Sequence, residues 1–84
     1  MIDNKYYVYI LKSLKFNKFY IGISKNPEKR LKGHNKGDSR FTKIYRPWQL
    51  IYKEFVGDRK SARAREKELK TSYHKRIGII RNLK

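Results

Sequence analysis

Five side chains in this sequence suit chemistry on a phosphate ester: Tyr9, Tyr20, Arg30, His34 and Glu66. Hydrolysing such an ester takes a deprotonated nucleophile, positive charge at the phosphoryl oxygens and help for the leaving alkoxide. Arg30 offers a bidentate fork to a phosphate. Glu66 is suited to Mg²⁺ or Mn²⁺, with water and substrate oxygens filling the other coordination positions. A phenol with an ordinary pKa near 10 is a poor base at neutral pH, but nearby cations favour its phenolate. Two metals would need several converging carboxylates, and the chain has seven acids in all. Glu66 and Glu68 stand two apart and diverge on a helix, so the pattern argues for one metal.

These residues need elements to bring them together. Residues 6–13, rich in aromatic and β-branched types, read as a strand with both faces at least partly covered. Residues 18–24 read as its partner, and the four residues between them make a hairpin that brings Tyr9 close to Tyr20. Asn26-Pro27-Glu28 is a helix start: Asn caps, Pro suits the first helical position, and Glu favours the positive end of the helix dipole. That helix is expected over about residues 27–35, with Arg30 and His34 sharing a face and Leu31 turned to another. A loop is expected at 36–39, and Arg46-Pro47 breaks regular structure before a third strand over 48–55. Asp58 is placed to cap a second helix over about 59–75, with Ala62, Leu69, Tyr73 and Ile77 on its buried stripe and Glu66 at the stripe's edge. Residues 77–84 are expected to form a short turn packed back on the sheet.

The chain has 84 residues, with Lys+Arg 23 against Asp+Glu 7 and a formal net charge of +16. A chain of this size forms one small domain that buries about 60% of its unfolded surface, so its core must be compact. Seven Tyr, four Phe and one Trp can supply that core. The absence of cysteine removes disulfides and thiolate zinc sites as staples. Residues 1–42 hold ten Lys/Arg against three acids, and residues 43–84 hold thirteen against four. The charge is therefore spread over a folded body, which favours nucleic acid as partner over a membrane surface. The opening residues lack the apolar stretch of a signal peptide, so the expected location is cytoplasmic.

Each residue alone also has a plainer fate. Tyr9 and Tyr20 suit a strand core, Arg30 and His34 suit a solvated helix face, and Glu66 suits an i, i+4 ion pair with Lys70. Trp48 suits the core or a platform under the Arg46-Pro47 turn.

The order Tyr9, Tyr20-Ile21-Gly22, Arg30, His34, Arg46-Pro47, Leu50, Tyr52, Glu54 and Ala64-Arg65-Glu66 resembles the GIY-YIG nuclease family over nearly the whole chain. The closest similarity is to small stand-alone bacterial members, themselves similar to the amino-terminal nuclease domain of the bacterial repair excinuclease. The resemblance implies an α+β fold, a three-stranded antiparallel sheet flanked by helices, and phosphodiester hydrolysis of DNA with a single divalent metal. It makes Tyr9 and Tyr20 the paired tyrosines, Arg30 the phosphate-binding arginine, His34 the residue one helical turn on, and Glu66 the metal ligand. Gly22 becomes the glycine that admits a helix or substrate backbone to the second strand. Two positions depart from the family pattern: Tyr7 replaces the first glycine, and Gly78 stands where many members carry Asn, with Asn82 nearby.

Lys18, Lys25, Arg40, Lys43, Arg46 and Arg63 are the cations expected to hold nucleic acid. The first reading is a DNA endonuclease of structure-selective or weak sequence specificity in repair or processing. The alternative is a non-catalytic nucleic-acid-binding module of the same fold; a weaker one is a small RNA-associated protein. Cutting both strands with one metal site calls for a homodimer, two successive events or a larger repair complex.

Overall fold

The computed structural model describes residues 4–82. Its sheet is built from β1 (Tyr6–Ser13), β2 (Phe19–Ser24) and β3 (Trp48–Gly57) in the order β2-β1-β3, all pairs antiparallel. The helices are α1 (Pro27–Lys36), α2 (Arg40–Ile44), α3 (Arg59–Thr71) and α4 (Tyr73–Arg81). The fold is α+β, a three-stranded antiparallel sheet with helices on both faces.

The central strand explains the aromatic and β-branched run in β1. Successive side chains of a strand point to opposite faces, so a strand covered on both sides must be apolar throughout. Val8, Tyr9, Ile10 and Leu11 are all fully buried. Val8 and Ile10 pack with Ile21, Ala62 and Leu69 beneath α3, while Tyr9 and Leu11 pack with Trp48, Leu31 and Leu50 on the face covered by α1. Each such side chain contributes roughly 1.5–3 kcal/mol of burial.

The termini of α1 form as the sequence implies. Asn26 accepts a hydrogen bond from Lys29 N–H at 3.1 Å, and Pro27 occupies the first turn. Gly37 ends the helix at φ 91°, a left-handed conformation open to glycine at little cost. Arg46 donates to the carbonyl of Lys36 at 3.1 Å.

Three expectations change. Residues 40–44 form the short helix α2, where the sequence pattern marks no element. The helix expected over 59–75 ends at Thr71, because extended Ser72 breaks it and accepts from Lys75 N–H to start α4. Tyr73 consequently leaves the expected stripe and stands 58% exposed. Residues 77–81 are helical and not a turn, and Leu83 and Lys84 of that expected turn lie outside the described residues. Arg76 of α4 donates to the carbonyls of Leu69 and Lys70, joining the two helices at the break. Among the described residues no helix is long and apolar enough to cross a membrane.

Candidate active site

The antiparallel register sets Tyr9 opposite Gly22, with Tyr20 two residues away on β2 and thus on the same face. The Tyr9 and Tyr20 ring centroids are 6.3 Å apart, as the hairpin reading required. A Cβ at Gly22 would stand 2.7 Å from Tyr9 Oη and 3.0 Å from Tyr20 Cε2. The glycine therefore makes room for the two phenols.

Helix α1 crosses this face and delivers Arg30 and His34 one turn apart. His34 is 3% exposed, far from the solvated-face alternative. Its Nε2 lies 3.2 Å from Tyr9 Oη and its Nδ1 lies 2.9 Å from Thr42 Oγ1. The Thr42 hydroxyl donates to the carbonyl of Ser39, so its oxygen is available to accept from Nδ1–H. In that tautomer Nε2 accepts the phenolic proton of Tyr9, giving a directed chain from Tyr9 through His34 and Thr42 to Ser39. Burial, with the Arg30 charge in second place, holds the His34 pKa below its ordinary value and keeps the ring neutral.

The Arg30 guanidinium lies beside both phenols, and the nearness of Tyr9, the larger influence, raises its pKa. Burial pushes the Tyr9 phenol up, outweighing the opposing pull of Arg30. At neutral pH Tyr9 is accordingly a protonated donor to His34. Tyr20 is the more accessible phenol. It lines a groove of about 450 Å³ with Lys18, Phe41, Lys70 and Arg76. A second groove of about 600 Å³ is lined by Lys25, Lys29, Arg30, His34 and Asp38.

Glu66, on α3, has a 22% exposed side chain and pairs with Lys70 at 3.2 Å, the plainer fate read for it from sequence. Its negative charge also reaches Tyr9. Among the described residues no three His, Asp or Glu side chains gather into a metal cage. The donor set fits a hard divalent ion held through one carboxylate, with substrate and water oxygens completing the shell.

Of the expected nucleic-acid contacts, Lys18 and Lys25 line the two grooves. Arg40 and Lys43 lie on α2, Arg63 is exposed on α3, and Arg46 holds the α1 C-terminus. The sequence reading placed Phe41 and Thr42 in a loop, residues 39–43, suited to base contacts, and missed the bond of Thr42 to His34 and the place of Arg76 at the groove. Thr42 and Phe41 sit on the unanticipated α2; Arg76 was hidden by the unrecognised break at Ser72.

The GIY-YIG catalytic domain model matches residues 5–78. The chain belongs to the GIY-YIG family. It is 42% identical to a UPF0213 protein of Staphylococcus saprophyticus over 79 residues, covering 92% of this chain and 95% of that protein. A UPF0213 protein of Staphylococcus haemolyticus is 43% identical over 80% of this chain and 82% of its own length. One from Clostridium perfringens is 42% identical over 76% and 69%. No solved structure gives a significant match. The GIY-YIG assignment places the chain in a nuclease superfamily, with the sheet and flanking helices that the motif order implied. In this GIY-YIG chain Gly78, at the departure from the family's Asn, lies within α4, where an added Cβ would meet open space.

Proposed function

We propose that this GIY-YIG chain is a single-domain endonuclease unit that hydrolyses DNA phosphodiester bonds, with Tyr9, Tyr20, Arg30, His34 and Glu66 as its working residues. The observation carrying this reading is the gathering of the Tyr9, Tyr20 and His34 rings on one face of the sheet, with Tyr20 open to a basic groove and Tyr9 bonded to the buried histidine. A purely structural cluster has no need of a guanidinium beside two phenols at a groove mouth.

Tyr20 meets the attacking water, because Tyr9 is fully buried. The water oxygen bonds to phosphorus as its proton passes to Tyr20, which takes it as the phenolate, and the leaving sugar oxygen departs with the electron pair of its bond and takes a proton from solvent. Arg30, beside that phenol, turns its donors to the phosphate. Tyr9 fixes Arg30 in place, and its proton rests on the His34 side. Lys18, Lys70 and Arg76 hold the phosphates flanking the cut. Glu66 would hold Mg²⁺ or Mn²⁺, which would supply stabilisation of the negative charge that develops in the reaction. The action is structure-selective or weakly sequence-specific, in DNA repair or processing in the cytoplasm, since little surface is left for base readout. Double-strand cutting needs a homodimer, two events or a larger repair complex.

The test is nicking of supercoiled plasmid with Mg²⁺ or Mn²⁺. Cleavage is expected to fall at least about a hundredfold in Glu66→Gln and to stop with chelator, while DNA affinity holds within about twofold. Salt-sensitive binding with no cleavage under any metal would overturn the proposal in favour of a binding module of the same fold.

A further inference from the structure

Outside the groove that Tyr20 lines, a row of aromatic rings continues across the surface. Tyr20 and Phe41 have centroids 6.5 Å apart, Phe41 and Tyr45 5.3 Å, and Tyr45 and Phe16 5.5 Å. Two of the four are open: Phe41 is 51% exposed and Phe16 48%. Lys18 Nζ stands 5.6 Å above the Tyr45 ring. The row draws on β2, α2, the loop after α2 and the β1–β2 turn: Tyr20 and Tyr45 rest on the buried Tyr9, Leu11 and Trp48, and Phe41 and Phe16 extend the row outward into solvent.

The row is also held in place. Ser13 Oγ donates to the carbonyl of Tyr45 at 2.7 Å and accepts from the backbone N–H groups of Lys15 and Phe16. Leu14 N–H donates to the carbonyl of Pro47 at 2.9 Å. Trp48 Nε1 donates to the carbonyl of Thr42 at 2.7 Å, tying down α2. A backbone fixed in advance reduces the entropy lost when a flat ligand settles on the rings it carries.

The surrounding charge selects the occupant. Lys15, Lys18, Arg40 and Lys43 flank the rings, and neither the β1–β2 turn nor α2 contains an acid. A second copy of a chain carrying +16 would bring cations against cations. Nucleic acid supplies flat bases with a phosphate on each, matching rings interleaved with cations. A duplex keeps its base faces stacked on one another, so only unpaired bases can use the rings.

We propose that the row from Tyr20 through Phe41 and Tyr45 to Phe16 is a stacking platform for unpaired DNA bases beside the scissile phosphate. This rests on the endonuclease reading and names its substrate class: DNA with a single-stranded segment reaching the cut.

The experiment is fluorescence anisotropy with an oligothymidine and a duplex of equal length, in chelator so that nothing is cut. Phe41→Ala and Phe16→Ala are each expected to weaken oligothymidine binding about tenfold, the loss of one base stack, with duplex binding unchanged. Phe41→Trp is expected to keep the wild-type preference, and Phe41→Leu, which fills the space without a ring, to lose it even if the alanine variant unfolds. Equal loss on both DNAs, or no loss on either, overturns the platform. So does self-association by sedimentation that Phe41→Ala abolishes while oligothymidine affinity stays put. Because binding is read without cleavage, the two proposals fail separately: plasmid nicking without ring-dependent preference removes the platform alone, and ring-dependent preference without any nicking removes the nuclease alone.

Discussion

At Gly22 an added methyl group would meet Tyr9 at Oη and Cζ, 2.7 and 2.9 Å away. The ring is fully buried and cannot swing aside. Gly22→Ala should therefore cost about 1–3 kcal/mol, as overpacking does, and lower cleavage at least about tenfold by moving the phenol that positions Arg30. Urea denaturation and plasmid nicking read the two effects; unchanged cleavage would mean that the Tyr9 position is immaterial. His34 carries a pH signature. Its folded pKa is depressed below the ordinary 6.5, so the unfolded chain takes up the proton first as pH falls. The stability that this ring contributes is full above about pH 6.5 and is lost as pH falls through that value toward the folded pKa. Cleavage should fall in the same acid range, because a protonated Nε2 no longer accepts from Tyr9. His34→Gln should remove this acid-side change in denaturation midpoint, and an unaltered midpoint profile would assign the change to other groups.

Helix α2 contains five residues, yet it supplies Thr42 to His34, Phe41 to the groove and a carbonyl to Trp48. Thr42→Val keeps the volume and that carbonyl bond but leaves His34 Nδ1 without an acceptor. An unsatisfied buried donor costs about 1–3 kcal/mol, and a free imidazole tautomer should lower cleavage about tenfold. Urea midpoint and nicking rate check both, and an unchanged rate would reduce α2 to a structural brace. This helix also marks the limit of sequence reading. The hairpin, the Asn26-Pro27 start and the Asp58 cap rest on short-range turn and capping chemistry, which is written locally, and each formed as expected. The Tyr9–Tyr20 pairing followed from the hairpin. Helix α2 has too few residues to show a period, and its Ser39 start makes no side-chain cap bond. Without it, the burial of His34 could not be anticipated, because its partner was not on the map. Ser72 was the one local signal passed over: a capping residue inside a helical pattern, whose effect was to turn Arg76 toward Tyr20. Gly22 was singled out, but whose space it kept depended on the ring directions of two other residues.

For the molecule as a whole, the +16 charge matters through where the substrate lies within it. The two grooves flank Arg30 and Tyr20, and each carries three basic side chains: Lys25, Lys29 and Arg30 in one, Lys18, Lys70 and Arg76 in the other. Glu66 and Asp38 are the acids in contact with this track, so a phosphate backbone laid along it meets mostly cations. Each cation that neutralises a phosphate releases a condensed counterion, and the logarithm of affinity then falls linearly with the logarithm of salt concentration. Six contacts give a slope of about −5 for duplex DNA and about −4 for a single strand. Anisotropy titrations across a salt series measure it directly. Replacing Lys29 and Arg76 together with Ala should flatten the duplex slope by about 2, while the same change at Lys60 and Arg81, which line neither groove, should leave it nearly unaltered. If the second pair flattened the slope as much as the first, the backbone would follow total charge instead of the grooves, and the positions proposed for the phosphates flanking the cut would be wrong.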